Sequence, residues 1–286
     1  MHPNNTLRSS LRIPKAFLVT TKILEVTSPK LAARFAIKLF TTPVKFRLPK
    51  REEEMNVKSR QEMVIIPELK KTVNVYFLGN GSKKVLLVHG WSGRGTQLVS
   101  IADKLVKQGY STVSFDAPAH GKSTGKTSDM TEFITCILQL EKLYGPFDFA
   151  IGHSLGAMAV LNAVKKGLDI SKAVIIGSGD VIKDIMDNFT QKLGMNIATG
   201  ELMIRMFEKK FGETINNYSA YIAAQEVDIP VLVIHDENDE DVPVTAAHHI
   251  HKYLAKSQLM ITQGLGHRKI LGDKNVIKQI TEFLIP

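Results

Sequence analysis

The chain is expected to fold as an α/β protein: a mostly parallel, twisted sheet with helices on both faces, interrupted once by a helical insertion. Three observations carry that expectation. Continuous apolar runs such as Lys84-Val85-Leu86-Leu87-Val88 read as strands buried on both faces. Segments of helical period lie between such runs. Phe149-Ala150-Ile151-Gly152-His153-Ser154-Leu155-Gly156 leads through Gly-x-Ser-x-Gly into a run of small residues, the layout of a sharp strand-to-helix turn with a serine at its tip.

The charge divides the chain before any strand begins. Residues 1–60 hold 13 Lys/Arg and 4 Asp/Glu, a balance of +9, and residues 61–286 hold 24 of each. The basic excess therefore belongs to an N-terminal arm, residues 1–61, and residues 62–286 form the main domain. In the arm, Thr27-Ser28-Pro29 predicts a helix start, with Ser28 as the cap and Pro29 at the first helical position. The helix that follows places Lys30, Arg34 and Lys38 on one side and Leu31, Phe35, Leu39 and Phe40 mostly on the other. Two roles suit it: weak contact of residues 28–47 with an anionic membrane surface, or an apolar face laid on the body with its lysines in water. The packing role is favoured. Glu52-Glu53-Glu54 reads as a solvated connector.

The main domain then alternates. Met63–Ile66 and Thr72–Phe77 read as strands, and Asn80-Gly81 as a hairpin turn signal. Lys84–Val88 is a strand, Gln97–Gln108 a helix, Ser111–Phe115 a strand and Asp129–Leu143 a helix. Phe147–Ile151, Lys172–Gly177, Pro230–Ile234 and Gln258–Thr262 read as further strands. Helices are expected at Val244–Leu254 and Lys274–Leu284. Between Gly179 and Asp228 no strand signal occurs for about fifty residues, and three helical patterns fill the gap. An insertion of that length, about residues 180–228, reads as a lid or binding segment.

Several classes are disfavoured. Cys136 is the single cysteine, so no intrachain disulfide forms, which fits a reducing compartment. No apolar run is long enough to span a bilayer, and Ala16-Phe17-Leu18-Val19 is too short for a signal-peptide core. A neutral body offers no basic face for nucleic acid. The expected location is cytoplasmic, peripheral to the membrane if the arm binds one.

In open parallel sheets, ligands bind at the carboxyl ends of the strands. Those ends deliver His89-Gly90-Trp91, then Asp116-Ala117-Pro118-Ala119-His120-Gly121-Lys122-Ser123, then Ser154. The later strands deliver His235 to Pro243, with Asp239-Glu240-Asp241-Val242-Pro243, and Gly266-His267. This set, in this order, resembles the α/β-hydrolase family over about Glu62 to the C-terminus. The resemblance implies the α/β-hydrolase fold and a serine hydrolase that cleaves a carboxylic ester or thioester through an acyl-serine. The substrate would be a small acyl ester or thioester with an apolar acyl or alcohol part. Neither cofactor nor metal is expected.

The residues fit those roles. A serine hydroxyl needs a base to become a nucleophile, and His267 is the candidate base for Ser154. An acid fixes the imidazole tautomer. The family pattern places it at Asp239, with Asp236 and Asp241 as rivals; the family often has glycine where Asp236 stands. The tetrahedral oxyanion needs two aimed N–H groups, worth about 3 kcal/mol each. These are Leu155, after the nucleophile, and by resemblance Trp91, whose side chain also suits an apolar pocket wall. His248, His249 and His251 cluster in sequence, but adjacent helical positions diverge too far to converge on one ion. His120 and His153 read as structural. Two other outcomes stay open: transfer of the acyl group to an acceptor other than water, and a non-catalytic binding protein of the same fold.

Overall fold

The structure, a computed structural model, describes residues 13–285. The polar segment Met1 to Ser10 lies outside them. Three helices precede the sheet: α1 (Lys15–Thr27), α2 (Pro29–Phe40) and α3 (Lys50–Lys58). The expected cap is present, with the Ser28 hydroxyl accepting the Leu31 N–H at 3.4 Å and Pro29 at the first helical position. Helix α1 was not anticipated, because Lys15, Thr20, Thr21 and Lys22 break up its apolar pattern. The Glu52-Glu53-Glu54 connector is also corrected: it lies inside α3, and Glu52 is buried. Glu52 Oε2 accepts the Thr96 hydroxyl at 2.7 Å, which compensates for taking the carboxylate out of water.

The chain continues through β1 (Arg60–Ile66), β2 (Lys71–Leu78), β3 (Lys84–Val88), α4 (Val99–Lys107), β4 (Ser111–Phe115), α5 (Met130–Tyr144), β5 (Phe149–His153) and α6 (Leu155–Lys165). After β6 (Lys172–Ile176) come the helices of the insertion, α7 (Ile182–Lys192), α8 (Ile197–Phe211) and α9 (Ala220–Ala224). The chain ends with β7 (Val231–Asp236), α10 (Thr245–Tyr253), β8 (Ser257–Thr262), α11 (Gly266–Lys269) and α12 (Lys274–Leu284).

The eight strands form one sheet in the order β1-β2-β4-β3-β5-β6-β7-β8. Strands β3 to β8 pair in parallel, while β1–β2 and β2–β4 are antiparallel. Asn80-Gly81 is therefore not a hairpin turn, since β2 and β3 are separated by β4. The antiparallel turn lies instead between β1 and β2, where Lys70 adopts φ 51°. Strand alternation builds two cores. Leu86, Val88, Ala173 and Ile175 pack against α5, α6 and α10 through Phe133, Ile137, Ala157 and Ile250. Val85, Leu87, Val174 and Ile176 face α4 and α12, through Ile101, Leu105, Val276 and Ile280. Both faces of each central strand are thus dry, as its unbroken apolar run requires.

A third cluster joins the arm to the insertion. Ala33 and Ala36 of α2 pack with Met203, Ile204 and Phe207 of α8 and with Met186 of α7. The buried side of α2 is made of Ala32, Ala33 and Ala36, not of Leu31, which is 47% exposed. Small alanines let the α2 backbone approach α8 closely, and Phe40 at the end of the helix packs edge-on against Phe189 of α7 and Phe207 of α8. Much of the insertion's apolar surface is consumed here. Among the described residues, no helix is long and apolar enough to cross a membrane.

Candidate active site

Strand β3 leads the chain to one side of the sheet and β5 to the other, so a crevice opens between their carboxyl ends. Ser154 sits there, directly after β5, with φ 54° and ψ −119°. A non-glycine residue in that region is strained and persists only where its surroundings hold it. Ser154 N–H donates to Ile176 O at 2.9 Å, which continues the β5–β6 ladder and fixes the turn. Gly156 permits the close packing beneath it: a methyl group there would lie 2.4 Å from the carbonyl oxygens of Val88 and His89. A methyl at Gly90 would lie 3.0 Å from Ser154 Cβ, so the loop after β3 rests against the serine itself.

Asp239, on the loop after β7, and His267, in α11 after β8, meet at the same edge. His267 Nδ1 lies 2.6 Å from Asp239 Oδ2, with the two side chains 11% and 1% exposed. The other carboxylate oxygen accepts the N–H groups of Asp241 and Val242 at 2.9 and 2.8 Å. Burial alone would raise the Asp239 pKa, but the His267 bond and charge and the two N–H groups outweigh it and hold it below the usual carboxylate range. The carboxylate is therefore ionised and accepts a hydrogen bond from His267 Nδ1–H, leaving Nε2 as the ring nitrogen with a free lone pair. The ring of His153, beside Ser154, lies 4.7 Å from that of His267, and His153 Nε2 donates to His267 O at 2.9 Å. His267 is thus tied to the residue that directly precedes Ser154.

The two predicted backbone donors differ from their neighbours. Gly90 N–H is taken by Gln97 Oε1 at 2.8 Å, Ser92 N–H by His120 Nε2 at 3.1 Å, and Ser154 N–H by Ile176. Trp91 N–H and Leu155 N–H have no acceptor among the described residues. The Trp91 ring packs edge-on against His120.

Three histidines frame this edge. His89 donates from Nδ1 to Gly90 O at 2.7 Å and accepts Ala117 N–H at Nε2, 3.0 Å. His120 Nδ1 donates to Pro118 O at 2.9 Å. Burial pushes His89 down to about 4, and His120 and His153 each down to about 3, so all three are neutral struts. His249 and His251 turn to separate partners, the Asp180 carboxylate and the Ser257 hydroxyl.

Sequence reasoning gave no site role to Gly177 or His235 and weighed Asp236 only as a rival for the acid. Asp236 is fully buried and accepts N–H from Leu265 at 3.0 Å and Gly266 at 2.9 Å, the two residues before His267. It is not the partner of His267, but it anchors the loop that carries it. Its position at a strand end was the available signal. Gly177 has φ 56°, and a methyl group there would lie 3.2 Å from His267 Nδ1 and 3.5 Å from Asp239 Oδ2. His235 is buried with Nε2 3.0 Å from Val242 O and 3.5 Å from Asp239 Oδ2. These contacts cross between strand ends, so no local pattern announces them.

The comparisons with known proteins agree with this architecture. The model of the alpha/beta hydrolase family matches residues 85–271. A curated 2-hydroxy-6-oxononadienedioate/2-hydroxy-6-oxononatrienedioate hydrolase of Escherichia coli is 25% identical over 256 residues, covering 71% of this chain and 87% of that protein. An esterase of Pyrococcus furiosus superposes with a TM-score of 0.65 at 18% identity, covering 85% of this chain and 98% of the other. A bromoperoxidase of Bacillus anthracis gives 0.61 at 17% identity, covering 79% and 99%. Those structural likenesses speak for the fold, while the family match supports a hydrolase activity. With the family model spanning most of the sheet and the strand-end residues gathered at one edge, the chain belongs to the α/β-hydrolase family.

Proposed function

We propose that the chain is a serine hydrolase that cleaves a carboxylic ester or thioester through an acyl-serine intermediate. The buried His267–Asp239 pair, together with a serine held at positive φ at the carboxyl end of β5, carries this reading. Ser154 Oγ attacks the acyl carbon while His267 Nε2 takes its proton. Asp239 keeps the ring in the required tautomer and balances the imidazolium. The oxyanion accepts the Trp91 and Leu155 N–H groups, each worth about 3 kcal/mol in the transition state. Collapse of the tetrahedral intermediate breaks the bond to the leaving alcohol or thiol, which leaves with the proton from His267. Water then attacks the acyl-serine, gives its proton to His267, and the acid departs as Ser154 Oγ is reprotonated.

The helical insertion acts as the lid in this reading. Its first helix brings Ile185 next to Gly179 and Met158, where a methyl group at Gly179 would lie 3.1 Å from Ile185 Cδ1. That apolar wall at the end of β6 favours an apolar acyl or alcohol part.

The test is a panel of acyl esters and thioesters of graded chain length, with Ser154→Ala as the control and a fluorophosphonate as the active-site label. Turnover that falls by about 10⁴ in Ser154→Ala is expected. A folded chain that turns over no member and takes no label would remove the proposal.

A further inference from the structure

Helix α1 has two unlike faces. Thr21 and Glu25 are buried against the rest of the chain. Val19, Ile23 and Val26 lie on the opposite side and are 58%, 60% and 83% exposed. Helical geometry brings these three within an arc of about 60°, forming one stripe. A stripe turned to water is ordinarily charged or polar. Here the single acid of the helix, Glu25, points inward, where its Oε1 accepts the Asn196 N–H at 2.8 Å. One residue further on, Ile197 is 83% exposed at the start of α8. The Thr27 hydroxyl is spent on the Ile23 and Leu24 carbonyls. The outward face thus carries an apolar stripe, Val19, Ile23 and Val26, flanked by the exposed Lys15 and Lys22.

The same region is strongly cationic. Lys15, Lys30, Arg34, Lys38, Lys45 and Arg47 have no carboxylate within ion-pair reach among the described residues. The undescribed residues 1–12 contain no Asp or Glu that could supply one. Unpaired cations beside an exposed apolar stripe set the chemistry of the occupant. It must accept aliphatic side chains and carry negative charge. A second copy of this arm would set its excess of +9 against another of +9, which repels.

We propose that α1 docks on an anionic lipid surface, lying in the plane of the interface. Val19, Ile23 and Val26 enter the headgroup–acyl boundary, and the lysines extend to the lipid phosphates. The apolar side of α2, the other candidate in the arm, is occupied by α8, whereas the α1 stripe is exposed among the described residues. The proposal is independent of the reaction at Ser154.

The full chain is sedimented with vesicles of phosphatidylcholine and phosphatidylglycerol, and with phosphatidylcholine alone. Binding only to the anionic vesicles is expected, weakening at about 0.5 M salt. The triple variant Val19→Asp, Ile23→Asp, Val26→Asp alters solvent-facing positions, and it is expected to bind about tenfold less with an unchanged circular dichroism spectrum and Tm. The double variant Lys15→Gln, Lys30→Gln is expected to weaken binding while leaving the apolar stripe intact. The proposal is overturned if the full chain ignores anionic vesicles or if the triple variant binds as well as the parent. It is also overturned if sedimentation velocity without lipid shows a dimer that the triple variant dissociates, because the stripe is then a protein interface.

Discussion

Asp236 accepts the Gly266 N–H at 2.9 Å, one residue before the imidazole that Asp239 holds. The two carboxylates thus divide one task. Asp239 orients the ring, and Asp236 fixes the backbone from which the ring projects. Besides Gly266, Asp236 binds the Thr262 hydroxyl and the Leu265 and Asn238 N–H groups. Asp236→Asn turns an amide NH₂ against donors that need an acceptor. A loss of about 3 kcal/mol in urea unfolding is expected. On the proposed mechanism kcat falls more than KM, because His267 is displaced rather than the substrate pocket. Unchanged stability and unchanged kcat would show that the His267 loop holds itself.

Gly177 leaves room for the His267–Asp239 pair. In Gly177→Ala the new methyl group meets His267 Nδ1 at 3.2 Å, and the backbone must hold φ 56° with a side chain. The conformational part costs about 1 kcal/mol. The crowding displaces the imidazole, so ester turnover is expected to drop by at least about tenfold with the fold retained. Full activity in a folded Gly177→Ala chain would place His267 elsewhere during reaction.

Acid stability should be governed by the buried histidines before the carboxylates. His89, His120 and His153 have folded pKa values of about 4, 3 and 3, below the ordinary histidine value near 6.5. Between those limits the unfolded chain binds more protons, so stability rises with pH and is lost on acidification from about pH 6.5 downward. Each histidine contributes a slope of up to about 1.4 kcal/mol per pH unit there. Asp239, whose folded pKa is depressed, adds stability that is lost only lower, as pH falls below the unfolded carboxylate value near 3.9 and through its folded value. Urea midpoints measured across this range are expected to fall well before carboxylates protonate. A flat profile from pH 6.5 to about 5 would contradict neutral, buried imidazoles.

The arm is fastened to the loop that carries Trp91. Val44 N–H donates to the Ser92 hydroxyl at 3.0 Å, and Arg94 Nη2 donates to Phe46 O at 2.5 Å. Ser92 itself sits at φ 57°. Ser92→Ala and Ser92→Gly both remove the acceptor, but glycine also relieves the backbone. Thermal melts are expected to rank Ser92→Gly above Ser92→Ala by about 1 kcal/mol. Both should slow ester turnover if the arm steadies the Trp91 N–H. Equal melts for the two variants would mean that the Ser92 backbone relaxes without the arm.

Much of this was legible along the chain. The β3, β5, β6 and β7 runs are continuous and apolar because both faces are covered, and that demand is written locally. The Ser28-Pro29 helix start and the Gly152-His153-Ser154-Leu155-Gly156 turn are local too, since each is set by the geometry of a few adjacent residues. Asn80-Gly81 misled because turn propensity is local whereas strand partners are not; β4 takes the place beside β2. The Glu52 run misled because a buried carboxylate looks like a solvated one until Thr96 is seen beside it.

The sequence by itself determined the layered α/β architecture, the order of the strand-end motifs and the candidacy of Ser154, of His267 and of Asp239 with its rivals Asp236 and Asp241. Periodicity and turn chemistry are short-range, and they act before the chain has closed. Tertiary structure decided that Asp239 rather than Asp236 meets His267, that Gly177 makes room for the pair, and that α2 gives its small side to α8 while α1 keeps an apolar stripe outward. Each of those outcomes depends on which distant segment arrives at a given surface, and that is set by packing of the whole sheet rather than by any residue's neighbours in sequence.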